Sequence, residues 1–177
     1  DVRISGQETV GSLTGNLLKG TIENSFATGS VAASGSNAGG LAGVTQGLIL
    51  NSYAVVHASG QTRVGGLAGT NVGIVRNSFA AGSVRAVGDE AGGLTGYALS
   101  SSDIQDSYAS GTVNGAPGLI GGLVGRGGGG SSASRSFWNT DTSGLTGSAG
   151  GTGLTAAEMK ESGPFADWDP AIWGFRP

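Results

Sequence analysis

Apolar residues in this chain stand singly or in pairs, separated by glycine, serine, threonine or asparagine, in runs of a few positions. Between Val10 and Phe137 no stretch sustains a helical period, and each glycine inside a helix would cost about 1 kcal/mol relative to alanine. The runs read instead as short strands, and they recur. Ser12-Leu13-Thr14-Gly15 returns as Gly40-Leu41-Ala42-Gly43, Gly66-Leu67-Ala68-Gly69, Gly93-Leu94-Thr95-Gly96 and Gly122-Leu123-Val124-Gly125. A second phrase follows each, as Ile22-Glu23-Asn24-Ser25-Phe26-Ala27 and its counterparts ending at Ala54, Ala80 and Ala109, with a remnant in Ser134-Arg135-Ser136-Phe137. The leucines lie 28, 26, 27 and 29 residues apart. A period in that range belongs to stacked repeats, in which each unit buries its apolar face only against its neighbours.

The predicted fold is all-β: a single-stranded parallel β-helix, or β-solenoid, of about five coils, spanning residues 1–137. A capping segment with a short helix is expected over residues 138–177. Successive coils one β-ladder step apart would give a rod roughly 24 Å long. The columns follow from the register. Leu13, Leu41, Leu67, Leu94 and Leu123 are expected to stack inside, beside Val10, Ala38, Val64, Ala91 and Ile120. Ile22, Ile49, Val75, Ile104 and Ala133 make another ladder, and Val31, Ala58, Val84 and Val113 close the circuit. Phe26, Tyr53, Phe79, Tyr108 and Phe137 form an aromatic column whose offset rings add to area burial. The glycines before the leucines mark places where a Cβ would clash with the next coil.

One corner carries Asn24, Asn51 and Asn77, followed in register by Asp106 and Arg135, and beside it runs a column of Ser25, Ser52, Ser78, Ser107 and Ser136. Both are read as structural: amides and hydroxyls that satisfy turn backbone, with Asp106 and Arg135 as a charge pair between consecutive coils. Length varies in the links 32–37, 59–63, 85–90 and 114–119, and between each leucine and its corner. Variable loops on a constant rod are where binding usually resides.

After Phe137 the repeat stops. Thr155-Ala156-Ala157-Glu158 has the form of a capping box, predicting a short helix over about 156–162. Trp138, Phe165, Trp168, Trp173 and Phe175 gather large apolar surface, read as a lid over an otherwise open solenoid end. The amino end shows no comparable lid, and further coils or another domain are expected upstream.

Composition narrows the chemistry. Glycine numbers 37 of 177 residues, about a fifth, against a usual ~7%. With net charge −3 no basic stripe exists to release counterions from a phosphate backbone, so no nucleic-acid partner is expected. Cysteine is absent, which removes disulfides and thiolate metal sites. No apolar run of ~18 residues occurs, so no membrane insertion is expected. His57 falls among the hydroxyls Ser30, Ser83 and Thr112 with no aligned acid, which argues against a catalytic triad. The near pairs Asp103 with Asp106 and Asp89 with Glu90 read as solvated charges or corner members rather than a glycosidase pair. Asn139 and Asp141 offer two oxygens at the 138–144 turn, only loosely suggestive of calcium. Glycine-rich 126–130 lacks the Gly-Lys-Ser/Thr of a phosphate loop. No cofactor, metal or catalytic residue is assigned.

The Gly-Leu-x-Gly tetrapeptide with the following Ile-x-Asn-Ser-Tyr/Phe-Ala phrase resembles the GLUG repeat, over about 10–175. That resemblance places the chain among large exported bacterial proteins, including filamentous-haemagglutinin-like adhesins and some immunoglobulin A-directed metallopeptidases, in which such arrays are not the catalytic parts. It implies an extracellular, secreted or cell-surface, non-enzymatic stalk or adhesive module. The expected partner is a host, matrix or sibling-cell surface ligand, glycans among the candidates. Two other readings stand beside it. An outward hydroxyl array on Ser30, Ser83 and Thr112 would suit ice or another crystalline surface, but His57 interrupts it. A polysaccharide-binding or -degrading β-helix would need a carboxylate pair that the sequence does not supply.

Overall fold

The computed structural model describes residues 1–174, and the predicted cap residue Phe175 lies outside them. The chain winds as a parallel β-solenoid of about five coils, with a few short helices near the carboxy terminus. Each coil contributes a strand to four sheets, one of nine strands and three of five, and every pairing is parallel. Coil 2 shows the plan: Phe26–Ala33, Ser36–Gly39, Ala42–Thr45 and Leu48–Leu50. Coil 1 begins at Val2–Gly6, coil 3 at Tyr53–Gly60, coil 4 at Phe79–Ala80 and coil 5 at Tyr108–Ala109.

The predicted columns pair in register. Val10↔Ala38, Val64↔Ala91 and Ala91↔Ile120 stack in one sheet; Ile22↔Ile49, Val75↔Ile104 and Ile104↔Ala133 stack in another. Leu41, Leu67, Leu94 and Leu123 are fully buried, and the core is continuous from Val10 to Trp138. Leu13 departs from the expectation at 48% exposed, because nothing among the described residues stacks on the outer face of coil 1. Burial of a leucine column needs a coil on both sides.

The tetrapeptide also organises the backbone. The N–H groups of Leu41 and Ala42 both donate to the Leu67 carbonyl, and those of Leu67 and Ala68 to the Leu94 carbonyl; coils 1 and 4 repeat the pattern. This close approach explains the glycines. A Cβ on Gly40 would meet the Gly66 carbonyl oxygen and lie 2.6 Å from the Ala54 Cβ; Gly66 and Gly93 face the same obstruction from the following coil. No room exists for any side chain there.

Coil 5 ends differently. Trp138 continues the inward alanine column of Ala54, Ala80 and Ala109, and its indole fills the space below the last coil, where its Nε1 donates to the Leu145 carbonyl at 3.0 Å. Ser148 Oγ accepts from the Leu123 and Val124 N–H groups at 3.2 and 2.9 Å, taking the place a leucine carbonyl fills between coils. Strand Thr152–Leu154 then adds to the edge of Phe137–Asn139. The end is therefore closed by Trp138 and the segment after it.

The rest of the tail corrects the predicted lid. Phe165, Trp168 and Trp173 lie along the side of the rod rather than across its end: Phe165 and Trp168 pack on Phe137, and Trp173 reaches back to Phe79 and Tyr108. The predicted helix is also shorter than expected. The capping box forms, with Glu158 carboxylate accepting from Thr155 N–H and Oγ at 2.8 Å, but it starts only a 3-10 turn, Glu158–Lys160. Two one-turn helices flank it, α1 (Thr140–Ser143) and α2 (Pro170–Trp173).

Candidate functional site

The most regular outward feature is the corner that joins the end of each coil to the nine-stranded sheet. Asn24, Asn51, Asn77, Asp106 and Arg135 all adopt the left-handed conformation there, with φ between 44 and 49°. That conformation costs most L-residues about 1–2 kcal/mol, and asparagine least. The neighbouring serines make the strain affordable by saturating the corner's hydrogen bonds. Each Oγ donates to the carbonyl two residues back, as Ser52 to Leu50 and Ser78 to Arg76 at 2.7 Å. The four from Ser52 to Ser136 also accept the serine N–H of the preceding coil, from Ser25→Ser52 through Ser107→Ser136, at 3.1–3.2 Å. The ladder is thus an unbroken hydrogen-bonded column.

On the amide side, Asn77 Nδ2 donates to Asn51 Oδ1 at 3.2 Å. Where the amides give out, Arg135 Nε and Nη2 reach the two Asp106 carboxylate oxygens at 2.6 and 2.8 Å, the predicted inter-coil charge pair. That hydrogen bond, then the Asp106 charge, raises the Arg135 pKa further above its usual value.

Directly beside the corner the aromatic column lies on the outer face of the sheet. Phe26, Tyr53, Phe79 and Tyr108 stack with centroids 5.2, 4.7 and 4.9 Å apart and planes within 8°. Phe137 ends the series against Phe165 and Trp168. The column does not bury all its members as expected. Phe26 is 59% exposed, since no ring among the described residues covers its outer face, whereas Tyr108 is buried enough that desolvation raises its phenol pKa. Between amides, rings and α2 lies a groove of about 490 Å³, lined by Asn24, Asn51, Asn77, Tyr53, Phe79 and Trp173 together with Ser52, Ala171 and Ile172.

A second left-handed corner escaped the sequence reading. Thr9, Asn37, Arg63 and Glu90 stand in register with φ of 55–65°. Asn37 Oδ1 accepts from Thr70 Oγ1 at 2.7 Å. Glu90 accepts from Arg63 Nε and Arg126 Nη1, both at 2.8 Å, and both guanidiniums lie over the Tyr97 ring at 5.6 and 5.1 Å. Its side chain is only 7% exposed, which overturns the reading of Glu90 as a solvated charge. Residue type varies too much in this column for a single sequence to reveal it.

The remaining candidates are spoken for locally. His57 is exposed and its Nδ1 lies 2.7 Å from Ser83 Oγ, in the hydroxyl column where it was expected. Asp103 meets Ser132 Oγ, Gln105 Nε2 and Arg76. Asn139 Oδ1 caps α1 through the N–H groups of Asp141 and Thr142, and Asp141 accepts from Ala156 N–H. Among the described residues no three His, Cys, Asp or Glu side chains converge as metal ligands do, and no helix is long and apolar enough to cross a membrane.

Coils in strict register, corners saturated by their own side chains and one end closed define a structural repeat module of the β-solenoid class. Residues 90–114, from the second corner of coil 4 into coil 5, match the family described as the GLUG motif. The register brings the related tetrapeptides of the other coils into line with the matched one, which supports reading the array as a GLUG-repeat region. No curated protein and no solved structure matches the chain.

Proposed function

We propose that the chain is a non-enzymatic display rod of an exported protein, which carries exposed links and grooves outward for attachment to a cell or matrix surface. The observation that carries this reading is the division of labour along each coil. The serine column and the core are constant from coil to coil, while sequence changes in the exterior parts of the links, as at Val87, which is 64% exposed. Three carboxylates are engaged in inter-coil pairing or capping: Glu90 with two arginines, Asp106 with Arg135, Glu158 with Thr155. Weak contacts on a stiff rod gain strength by multivalency, by as much as ~10²–10⁴ over a single contact. Beads densely coated with the protein should adhere to host cells, matrix or sibling cells far more strongly than sparsely coated beads. Equal, background-level attachment at both densities would leave a spacer.

A further inference from the structure

Several features of the surface compete for a role. The Arg63–Glu90–Arg126 cluster around Tyr97 is closed upon itself, and among the described residues no aromatic lines the hollow between the links at 85–87 and 114–116. The groove beneath α2 is different, because its polar groups are not all used. Asn77 Nδ2 and Asn51 Oδ1 bond each other, leaving Asn51 Nδ2, Asn77 Oδ1 and the Asn24 amide without partners among the described residues. Trp173 lines the same groove, and its own Nε1 is buried without a partner among the described residues. A buried indole N–H normally has one.

Opposite the amides stand the edges of Tyr53 and Phe79 and the apolar wall of Ile172 and Trp173. Among the described residues, none that lines the groove carries an ionised side chain. The volume lies within the range of small-ligand sites, ~300–1,000 Å³. The ladder repeats its donors and acceptors at each coil step, so the groove presents a periodic polar row against a continuous aromatic wall.

We infer that this groove binds an uncharged oligosaccharide, whose hydroxyls bridge the Asn24–Asn51–Asn77 amides while its C–H surfaces lie on Trp173, Ile172 and the ring edges. Three properties of the groove select that chemistry. Amides both donate and accept, as sugar hydroxyls do. The uncharged described lining gives an acidic or basic ligand no counter-ion and makes its desolvation costly. Aromatic and apolar walls match the apolar faces of sugar rings. The inference rests on the display reading above and names the ligand class for one of its surfaces.

The test is titration of the whole chain with cellotetraose, maltotetraose and chitotetraose, followed by tryptophan fluorescence and by the side-chain amide NMR signals of Asn51 and Asn77. At least one tetrasaccharide should give saturable changes at millimolar concentration or below, localised to those signals. Asn51→Gly with Asn77→Gly keeps the left-handed backbone unstrained while removing the amides, and should weaken binding at least tenfold. Ala171→Trp, which fills the groove and leaves the ladder residues unsubstituted, should abolish it. Circular dichroism confirms that both variants stay folded. No saturable change with any of the three, an unchanged affinity in both variants, or an equal response to a sulfated tetrasaccharide would overturn the inference. Bead attachment that survives Ala171→Trp removes the groove and leaves the adhesive reading standing. Tetrasaccharide binding without attachment does the reverse.

Discussion

At the scale of single residues, backbone conformation explains more than side-chain chemistry. Asn51 sits at φ 49°, where a Cβ-bearing residue without a local hydrogen bond is strained. Asn51→Ala should therefore unfold at lower urea than Asn51→Gly, by about 1 kcal/mol. Coincident midpoints would refute that account. The asparagine corner was legible because the same residue recurs three times before Asp106 and Arg135 replace it. The second corner was not, since Thr9, Asn37, Arg63 and Glu90 share a conformation and no chemistry. Glu158 gives a pH signature. Hydrogen bonds from the Thr155 N–H and then its hydroxyl hold its carboxyl below the usual range. A folded pKa that is depressed contributes stability above the unfolded value and loses it as pH falls through the folded one. Amide-exchange protection around Ala156 should thus exceed that of Glu158→Ala at neutral pH, and the two should converge in acid. A difference that persists below the folded pKa would exclude the capping carboxylate as its source.

Among elements, the short strands hold only because the coil below supplies their partners. Their alternation was readable, since inward and outward positions differ in polarity along the whole array. What the alternation did not reveal is how the last coil is satisfied. Leu123 and Val124 have no following leucine carbonyl, and Ser148 Oγ, from a segment with no repeat character, accepts both N–H groups. Ser148→Ala would leave two backbone donors unpaired, at about 1–3 kcal/mol each if they stay buried. Denaturant unfolding measures the loss, and amide exchange at Leu123 and Val124 locates it. A midpoint unchanged from wild type would mean that water replaces the hydroxyl without cost. The helix at 156–162 failed as a sequence expectation for a related reason. Its capping box is local and formed, but no apolar stripe follows to pack a second turn.

At the scale of the whole molecule, the last coil is closed by residues that break the repeat. Trp138 replaces the alanine of earlier coils and fills the space against Gly122 that a sixth coil would occupy. Trp138→Ala should cost about 3–5 kcal/mol as a cavity and expose the final strands. Those strands offer unpaired edges, so the variant should also self-associate. Sedimentation over a range of concentrations would show it, and a monomeric, equally stable variant would show that Trp138 does not close the end. The remaining aromatics serve another purpose. Phe165, Trp168 and Trp173 strap the side of coils 4 and 5, and by covering part of the aromatic column they create the groove that an uncovered stack lacks.

Period, strand columns, inward leucines and the two residue ladders were determined by the amino-acid sequence, because each depends on contacts repeated at a fixed separation along the chain. The path of the tail, the burial of Glu90, the exposure of Leu13 and Phe26, and the groove beneath Trp173 depend on contacts made once, between segments with no shared period. Only the folded arrangement could decide them: a repeated contact leaves a pattern in one dimension, and a unique one leaves none.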